Sequence, residues 1–296
     1  MIASQGQLGS ALLKDLRRRG EEVIGVEREI CDLSCPRSLQ RLFQRFGPLD
    51  VVYNAGAFTA VDLAETRRRQ AFRVNAIGPG FLGALCRERA VRLVHFSTDY
   101  VFGEGHQAPI DEICTPEPLS VYGRSKFLGE RLVKEHFPEA LILRTCGLYS
   151  AQRPNFLRTI LGAGLSGRPL QVVHDQWVTP TPAKSLARLA IELVDKGKAG
   201  LYHASANGSC TWYEFAVAIF EELDLPVEIE PVDSTCWPAP APRPSYSVLS
   251  NTLLEREGLD SFGEWREELR AFLQSRGTFL LEDLEKVRAQ AERLAG

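Results

Sequence analysis

The sequence predicts a doubly wound α/β fold with a mostly parallel sheet, followed by a smaller C-terminal unit. Short β-rich apolar runs alternate with helical patterns up to residue 150, the pattern changes after that residue, and the length of 296 residues suggests about two domains. Alternating strands and helices are typical of parallel strands joined by right-handed crossovers. We predict a first domain over residues 1–150, to which residues 170–203 return, and a second unit over residues 151–296.

Four apolar runs in the first half are predicted strands, and two apolar helical faces lie between them. The strands are predicted at residues 22–26, 49–54, 91–96 and 140–144. The helical faces consist of Leu12, Leu13 and Leu16, and of Leu39, Leu42, Phe43 and Phe46. Doubly wound sheets bind ligands beyond the carboxyl ends of their strands, so the residues that follow each run are candidate site residues.

The second half mixes helices with short strands. Helices are predicted over residues 155–165, 182–195, 211–223, 265–273 and 278–294, and strands over residues 170–173 and 201–203. Four prolines predict an irregular loop over residues 234–244. The last helix carries an apolar stripe that either packs on the body of the protein or forms a homodimer contact. This stripe consists of Leu281, Leu284, Val287, Ala291 and Leu294.

The composition excludes several classes of protein. A net charge of −3 argues against a nucleic-acid-binding protein, and no apolar run is long enough to predict a membrane-spanning helix. The seven cysteines form no CxxC pair, so we expect free thiols in a reducing compartment, and hence a cytoplasmic protein, rather than disulfides or a metal site.

A glycine-rich turn opens the first predicted helix. Gly6, Gln7 and Leu8 lead into Gly9, and small residues at such a turn let the backbone approach a pyrophosphate at the positive end of a helix. The first glycine of a full dinucleotide fingerprint is replaced by Ala3, and no residues remain for the strand that should precede the turn. We therefore expect a sheet that lacks its first strand, with the true start of the protein upstream.

Further candidates for dinucleotide binding follow the next two predicted strands. Glu27 ends a strand 18 residues beyond Gly9, where a carboxylate can accept hydrogen bonds from an adenosine ribose. The adjacent Arg28 could bind a 2′-phosphate instead, so the preference between NADH and NADPH stays open. The loop residues Asp32 and Leu33 could meet the adenine. Small residues after the strand at 49–54 leave room for flat cofactor groups; they are Ala55, Gly56 and Ala57.

The most specific signal joins a strand end to a helix. Thr98 and Asp99 follow the strand at 91–96, and Tyr122 lies four residues before Lys126, which places both side chains on one helix face. An ammonium group near a phenol lowers the pKa of the phenol, which can then exchange a proton with a carbonyl or an alcohol. The Thr98 hydroxyl would polarise the same carbonyl. These residues predict a dinucleotide-dependent oxidoreductase with a Rossmann sheet.

Together these residues resemble the extended branch of the short-chain dehydrogenase/reductase superfamily, and within it the dTDP-4-dehydrorhamnose reductase family. The resemblance runs from about residue 3 to residue 274. It is carried by several blocks in the same order: residues 54–65 (NAGAFTAVDLAE), 97–102 (STDYVF), 121–126 (VYGRSK), 175–176 (DQ), 202–203 (YH), 212–215 (WYEF) and 242–247 (PRPSYS).

The resemblance implies hydride transfer from NADPH or NADH to the 4-keto carbon of a dTDP-6-deoxyhexulose, which would give dTDP-L-rhamnose. It implies that Tyr122 donates the proton, that Lys126 tunes Tyr122 and holds the nicotinamide ribose, and that Thr98 and Asp99 contact the sugar. Arg243, in the proline-rich loop, is a plausible clamp for the substrate diphosphate or a residue of a surface salt bridge.

Departures from the family pattern leave alternatives open. Gly147 stands where many members place a tryptophan near the substrate, and Ala11 stands where some members have a magnesium-binding glutamate, so we expect no such metal site. The chain could therefore reduce or epimerise another nucleoside-diphosphate sugar. It could also be a non-catalytic dinucleotide-binding subunit.

Overall fold

The computed structural model describes residues 1–167 and 169–295, with side chains described up to residue 286. The helices are α1 (Gln7–Arg18), α2 (Pro36–Phe46), α3 (Val61–Thr66), α4 (Arg68–Phe72), α5 (Gly78–Glu88), α6 (Val121–His136), α7 (Phe156–Gly164), α8 (Ala183–Asp195), α9 (Trp212–Glu221), α10 (Thr252–Arg256) and α11 (Trp265–Ala295). The strands are β1 (Val51–Asn54), β2 (Arg92–Thr98), β3 (Leu141–Thr145), β4 (Leu148–Tyr149), β5 (Leu170–Val173), β6 (Trp177–Val178), β7 (Thr181–Pro182), β8 (Gly200–His203), β9 (Cys210–Thr211) and β10 (Ile229–Val232).

The main sheet is parallel and has the order β1-β2-β3-β8. Helices cover both of its faces. The apolar residues of α1 and α8 pack against one face, and those of α2 and α5 pack against the other. Burial on both faces explains why these strands read as continuous apolar runs. The predicted doubly wound α/β class is confirmed.

The region before β1 holds only part of a strand. Ile2 makes single parallel bridges to Val26 and to Asn54, with its backbone N–H donating to the Tyr53 carbonyl at 3.0 Å. The strand predicted at 22–26 does not form, and only Val26 takes part in a bridge. A strand is stabilised by a neighbouring ladder, and beside this segment the described chain offers only residues 1–3.

A second apolar cluster lies around α7, α9 and the first half of α11, and includes Leu157, Phe215 and Leu269. Beside it are two small sheets, β5 with β10 and β6 with β9. Of the returning segment predicted for residues 170–203, β8 and α8 lie with the main sheet, whereas β5 does not. The predicted boundary near residue 150 stays a prediction.

The C-terminal helices differ from the prediction, because 265–273 and 278–294 belong to the single helix α11. Gly277, at the predicted break, is buried, and Leu223 Cδ2 lies 3.0 Å from where a Cβ would stand. The close packing on Leu223 therefore explains a small residue at this position, and the helix continues through it. Leu284 packs against the second cluster, and the side chains of Val287, Ala291 and Leu294 lie outside the described residues. No described helix is both long and apolar enough to cross a membrane.

The proline-rich loop over residues 234–244 is irregular, as predicted, apart from a short 3₁₀ turn at Ser234–Cys236. All seven cysteines are free.

Ala3 adopts a left-handed backbone conformation with φ of 57°. Such a conformation costs an L-residue about 1–2 kcal/mol, and glycine adopts it freely at some cost in unfolded-state entropy. We expect Ala3→Gly to raise the free energy of unfolding by about 0.5–1 kcal/mol in urea titrations. Ala11→Gly, within α1, is the control and should lower it by about 1 kcal/mol. A loss of stability in Ala3→Gly would contradict the strain.

Candidate active site

The helix α6 begins at a defined point because two side chains bind its first backbone N–H groups. The Ser120 hydroxyl accepts a hydrogen bond from the Gly123 N–H at 3.1 Å, and Glu65 Oε1 accepts one from the Val121 N–H at 2.7 Å. A carboxylate is favoured at a helix N-terminus, where the dipole is positive. Glu65, in the block at residues 54–65, therefore helps to position the first turn of α6, which carries Tyr122.

Two glycines let α6 lie close to its neighbours. A Cβ on Gly123 would stand well inside van der Waals contact with the Tyr100 carbonyl oxygen, and one on Gly129 would meet the Asn75 carbonyl oxygen in the same way. A side chain at Gly123 would push α6 away from the segment that follows β2, and one at Gly129 would push it away from the turn that holds Asn75.

Asn75 connects the loop after β1 to α6, and the sequence analysis missed it. It lies in a π-helical turn, Arg73–Ile77, between α4 and α5, and it is fully buried. Its Oδ1 accepts from the Phe58 N–H at 2.7 Å, and its Nδ2 donates to the Phe58 carbonyl at 3.1 Å and to the Ser125 hydroxyl at 3.0 Å. The available signal was an amide side chain inside an otherwise apolar helical run.

The structure brings Thr98, Tyr122 and Lys126 together at the carboxyl end of β2. The Thr98 hydroxyl lies near the Tyr122 phenol and donates a hydrogen bond to Asp99 Oδ1 at 2.8 Å. The Lys126 side chain is buried, and its Nζ donates to the Phe96 carbonyl at 2.6 Å. These positions match the predicted arrangement of a hydroxyl, a phenol and an ammonium group at one strand end.

The electrostatics differ from the sequence prediction. Burial raises the pKa of Tyr122 to about 12, and the nearby Thr98 hydroxyl opposes this rise. The Lys126 ammonium group does not contribute to the shift. The expected lowering of the Tyr122 pKa by Lys126 is therefore wrong, because the Lys126 ammonium group is bound to the Phe96 carbonyl instead. Burial also lowers the pKa of Lys126 to about 8, and the nearby Glu130 carboxylate opposes this shift.

Asp99 lies at the same strand end, but its carboxyl group is enclosed by protein. It accepts hydrogen bonds from the Thr98 hydroxyl and from Cys146 Sγ, the latter at 3.2 Å. Burial raises the pKa of the Asp99 carboxyl group above its ordinary value, and these hydrogen bonds oppose the rise only in part. In this structure Asp99 supports Thr98 rather than facing open space.

The predicted pyrophosphate turn lies at the start of α1. Gly6 is the N-cap residue, and no side chain caps this helix. The Gln7 amide oxygen accepts hydrogen bonds from Ser150 and Asn155, both at 3.0 Å, whereas the Leu8 side chain is buried in the core. Only the backbone of Leu8 is therefore available to a ligand.

The remaining candidates for dinucleotide binding lie beside this turn. Glu27 Oε1 accepts from the Ser4 hydroxyl and from the Gln5 N–H, both at 2.7 Å. Asp32 accepts from Ser34 at 2.7 Å and forms a 3.5 Å ion pair with Arg28.

Leu33 and Gly56 are in contact, since a Cβ on Gly56 would lie 2.7 Å from Leu33 Cδ1. Ala55 and Ala57, on either side of Gly56, are partly exposed.

Arg243 is engaged by a carboxylate. Its guanidinium group donates to both Asp62 carboxylate oxygens, at 2.9 and 3.0 Å, and to the Ala241 carbonyl at 3.0 Å. The salt-bridge alternative therefore describes this structure, and a bound diphosphate would have to compete with Asp62.

These residues fit a dinucleotide. The first turn of α1 offers backbone N–H groups that no side chain caps, and small residues line the end of β1. Among the residues that the structure describes, no group of three or more His, Cys, Asp or Glu could hold a metal ion.

Comparison with known proteins identifies relatives over nearly the whole chain. The family model described as "RmlD substrate binding domain" matches residues 1–277. The spore coat polysaccharide biosynthesis protein SpsK of Bacillus subtilis is 38% identical over 92% of this chain and 95% of the relative. The dTDP-4-dehydrorhamnose reductase of Mycobacterium tuberculosis is 36% identical, over 90% of each chain.

Among solved structures, the dTDP-4-dehydrorhamnose reductase of Bacillus anthracis in complex with NADP is similar, with a TM-score of 0.89 and 32% identity. The match covers 93% of this chain and 97% of that chain.

The packing at Gly129 gives a test of how α6 is positioned. Gly129→Ala should lower the free energy of unfolding by about 2–3 kcal/mol, because the added methyl group overlaps the Asn75 carbonyl. Gly162→Ala in α7 is the matched control, because its Cβ would make only ordinary contact, at 3.7 Å from Leu284 Cδ2. This substitution should raise the free energy of unfolding by about 0.5–1 kcal/mol. Equal effects of the two substitutions in urea titrations would contradict the close approach.

Proposed function

Because the chain belongs to the RmlD substrate binding domain family, we propose that it is an NAD(P)H-dependent reductase of the 4-keto group of a dTDP-6-deoxyhexulose, converting dTDP-4-dehydrorhamnose to dTDP-L-rhamnose. The dTDP-4-dehydrorhamnose reductase of M. tuberculosis and the NADP complex from B. anthracis support this reaction. The observation that carries the proposal is that Thr98 ends β2 where it packs against α6, which carries Tyr122 and, one helical turn further on, Lys126.

In the proposed reaction, Tyr122 is the general acid. A phenol with a pKa of about 12 is fully protonated at neutral pH, so it has a proton to give when the keto oxygen gains negative charge. The Thr98 hydroxyl lies beside the phenol and would donate a second hydrogen bond to that oxygen. When bound, the reduced cofactor supplies the hydride.

Lys126 would act on the phenolate that proton transfer leaves behind. Burial makes an uncompensated phenolate costly, and an ammonium group one turn along α6 would offset that cost. For this role, the ammonium group would have to leave the Phe96 carbonyl and turn toward the cleft. Lys126 would then hold the ribose and stabilise Tyr122, as the family resemblance implies.

The dinucleotide would lie along the turn before α1, with its diphosphate at Gly6, Gln7 and the backbone of Leu8. Glu27 would accept from the adenosine ribose, and Arg28, which makes only a 3.5 Å ion pair, would be free to meet a 2′-phosphate. Both NADH and NADPH are therefore proposed cofactors. The adenine and nicotinamide ends of the cofactor would be lined by Asp32, Leu33, Ala55, Gly56 and Ala57.

The nucleotide sugar would lie between the main sheet and the second apolar cluster, which we propose forms the substrate domain. Thr98 would contact the sugar, with Asp99 holding Thr98. Arg243 would exchange Asp62 for the substrate diphosphate, because guanidinium groups bind both anions through two hydrogen bonds.

The free cysteines support a reducing compartment, so we propose a cytoplasmic enzyme.

A second candidate function keeps the chemistry and changes the sugar. Gly147 adopts a φ of 55°, and a Cβ there would stand 3.0 Å from atoms of Val178, Thr179 and Pro180. Any larger side chain would alter this part of the chain, so the local shape differs from that of relatives with a tryptophan. Another nucleoside-diphosphate 4-ketosugar is therefore the second candidate. The two candidate functions are distinguished by comparing kcat/KM for dTDP-4-dehydrorhamnose with kcat/KM for a panel of other nucleoside-diphosphate 4-ketosugars.

Replacing the proposed acid gives the main test. Tyr122→Phe should lower kcat by about 10²- to 10⁴-fold, because the proton donor is removed. The assay uses dTDP-4-dehydrorhamnose as substrate and measures the rate at which NADPH absorbance is lost. NADPH binding and thermal stability should stay near wild type, and Tyr213→Phe, outside the site, should keep full activity. Full activity of Tyr122→Phe would contradict the role of the phenol. A wild-type protein that binds NADPH yet reduces no 4-ketosugar would instead indicate a non-catalytic subunit.

The pH dependence of the reaction follows from Lys126. Its pKa of about 8 lies below the ordinary value, so its ammonium group is present at neutral pH and is lost as the pH rises through about 8. We expect kcat/KM to fall above that pH while the protein stays folded by circular dichroism. An ordinary lysine would keep its charge to about pH 10, so a profile that is flat to that pH would contradict the shift.

A further inference from the structure

The carboxyl group of Asp99 is enclosed by protein and has no counter-charge. Asp99 is 4% exposed, and within the described part of the chain it forms no ion pair with a lysine, arginine or histidine. Glu130 on α6 is also buried, but it is paired with Arg144 through two hydrogen bonds. An isolated carboxylate is costly in such surroundings, and a carboxyl group placed there takes up a proton instead.

The side chains that contact Asp99 are neutral hydrogen-bond donors. Thr98 Oγ1 lies 2.8 Å from Asp99 Oδ1, and Cys146 Sγ lies 3.2 Å from Asp99 Oδ2. The Ser247 hydroxyl is also near this carboxyl group. Burial raises the pKa of Asp99, and these donors oppose the rise only in part. The surroundings therefore favour the protonated form of the carboxyl group.

The other ionisable groups around Asp99 are two phenols and a thiol. Burial raises the pKa of Tyr122 to about 12, and it also raises the pKa values of Tyr100 and Cys146. These three groups are therefore uncharged at neutral pH, and none of them changes its charge between acidic and neutral pH.

Two cations lie in the wider site, and each is held by another group. The Lys126 ammonium group donates to the Phe96 carbonyl at 2.6 Å. The Arg243 guanidinium group, in the proline-rich loop, is bound by both carboxylate oxygens of Asp62. Neither cation is therefore placed to balance a negative charge on the buried carboxyl group.

The contact between Thr98 and Asp99 holds one hydrogen, and its 2.8 Å distance suits a hydrogen on either oxygen. If Thr98 gives its hydrogen to Asp99, none is left for a substrate oxygen, because a hydroxyl has a single hydrogen. The Tyr100 N–H, at 3.2 Å, already donates to Thr98 Oγ1. If Asp99 carries the hydrogen, Thr98 accepts it and its own hydrogen is free. The proposed reaction needs the second arrangement, since Thr98 donates to the keto oxygen there.

We propose that Asp99 acts as a neutral carboxylic acid that donates its hydrogen bond to Thr98 Oγ1, and that Cys146 positions it by donating to the other carboxyl oxygen. The donors then point in one direction, from Cys146 through Asp99 and Thr98 to the substrate oxygen. No proton is transferred along this chain, so Asp99 and Cys146 are positioning residues that act through Thr98. The inference rests on the proposed reductase function, but the charge of Asp99 can be tested without it.

The charge is tested by urea titrations of the wild type and of Asp99→Asn, which has a neutral side chain of similar size, between about pH 5 and pH 7. A protonated Asp99 loses its proton on unfolding, because an aspartate in water has a pKa of about 3.9. Raising the pH therefore favours unfolding of the wild type relative to the variant. We expect the ratio of their unfolding constants to rise about tenfold per pH unit. Asp50→Asn, at an exposed aspartate, is the matched control and should give a constant ratio.

Infrared spectroscopy gives a second readout that can be taken on the wild type alone. A protonated carboxyl group absorbs above the amide bands, whereas an ionised carboxylate absorbs below them. We expect the upper band in the wild type at neutral pH in heavy water, and its loss in Asp99→Asn. The proposal is overturned if the wild type lacks this band, or if the ratio of unfolding constants for Asp99→Asn stays constant with pH.

The positioning roles are tested by activity with dTDP-4-dehydrorhamnose and NADPH. Asp99→Asn keeps an N–H donor toward Thr98, whereas Asp99→Ala removes it, so kcat of Asp99→Ala should be lower by about tenfold, with the same KM for NADPH in both variants. Cys146→Ser keeps a donor and should have a kcat several-fold above that of Cys146→Ala. Equal kcat values within a pair would overturn the role of that residue.

Failure of the proposed function would look different. A wild type that reduces no 4-ketosugar would contradict the reductase function, whereas the infrared band and the ratio of unfolding constants would still decide whether Asp99 is neutral.

Discussion

The close approach of α6 to its neighbours is the constraint on which the rest of the site depends. At Gly123 and Gly129, backbone oxygens occupy the space that any side chain would need. Further along the same helix, Glu130 forms a buried pair with Arg144 of β3, with hydrogen bonds of 2.7 and 2.9 Å. Breaking such a pair by removing one partner is strongly destabilising, because a buried charge is left alone. The glycines determine how near α6 lies to the segment after β2 and to the turn that holds Asn75, and the ion pair holds α6 against β3. The positions of Tyr122 and Lys126 follow from both.

This constraint changes the view of the acid. The spacing of Tyr122 and Lys126 suggested that the ammonium group acts directly on the phenol. In the structure, the same close packing buries Lys126 and partly buries Tyr122, and burial is the main cause of both pKa shifts, upward for Tyr122 and downward for Lys126. Each group is pushed toward its neutral form. For a proton donor this is suitable, because the phenol keeps its proton until an oxygen with developing negative charge is nearby. The ammonium group matters afterwards, when a phenolate exists to be stabilised.

The sequence was sufficient where local pattern and burial agree. The strands β1, β2 and β3 are buried on both faces, so their apolar runs were unmistakable, and the strand ends located Thr98 and Gly56. The failures all depend on contacts between distant segments. The segment at 22–26 lacks a neighbouring ladder, Gly277 is retained inside α11 by packing on Leu223, and Asn75 matters because of Phe58 and Ser125. The hydrogen-bond partners of Arg243 and Asp99 could not be predicted either, because the fold, and not spacing along the chain, brings them together.

The charges on α1 show how local and tertiary explanations can be separated. Arg17 and Arg18 lie in its last turn, where positive side chains interact favourably with the helix dipole. That local effect needs no ligand, and it explains basic residues at the end of this helix. It does not explain Lys14, which lies a turn earlier, or its approach to Lys184 and Arg276 from two other helices. Bringing three like charges together is unfavourable for the fold alone. Because Lys14, Lys184 and Arg276 are all exposed, solvent and salt screen this repulsion, and the fold tolerates it at little cost.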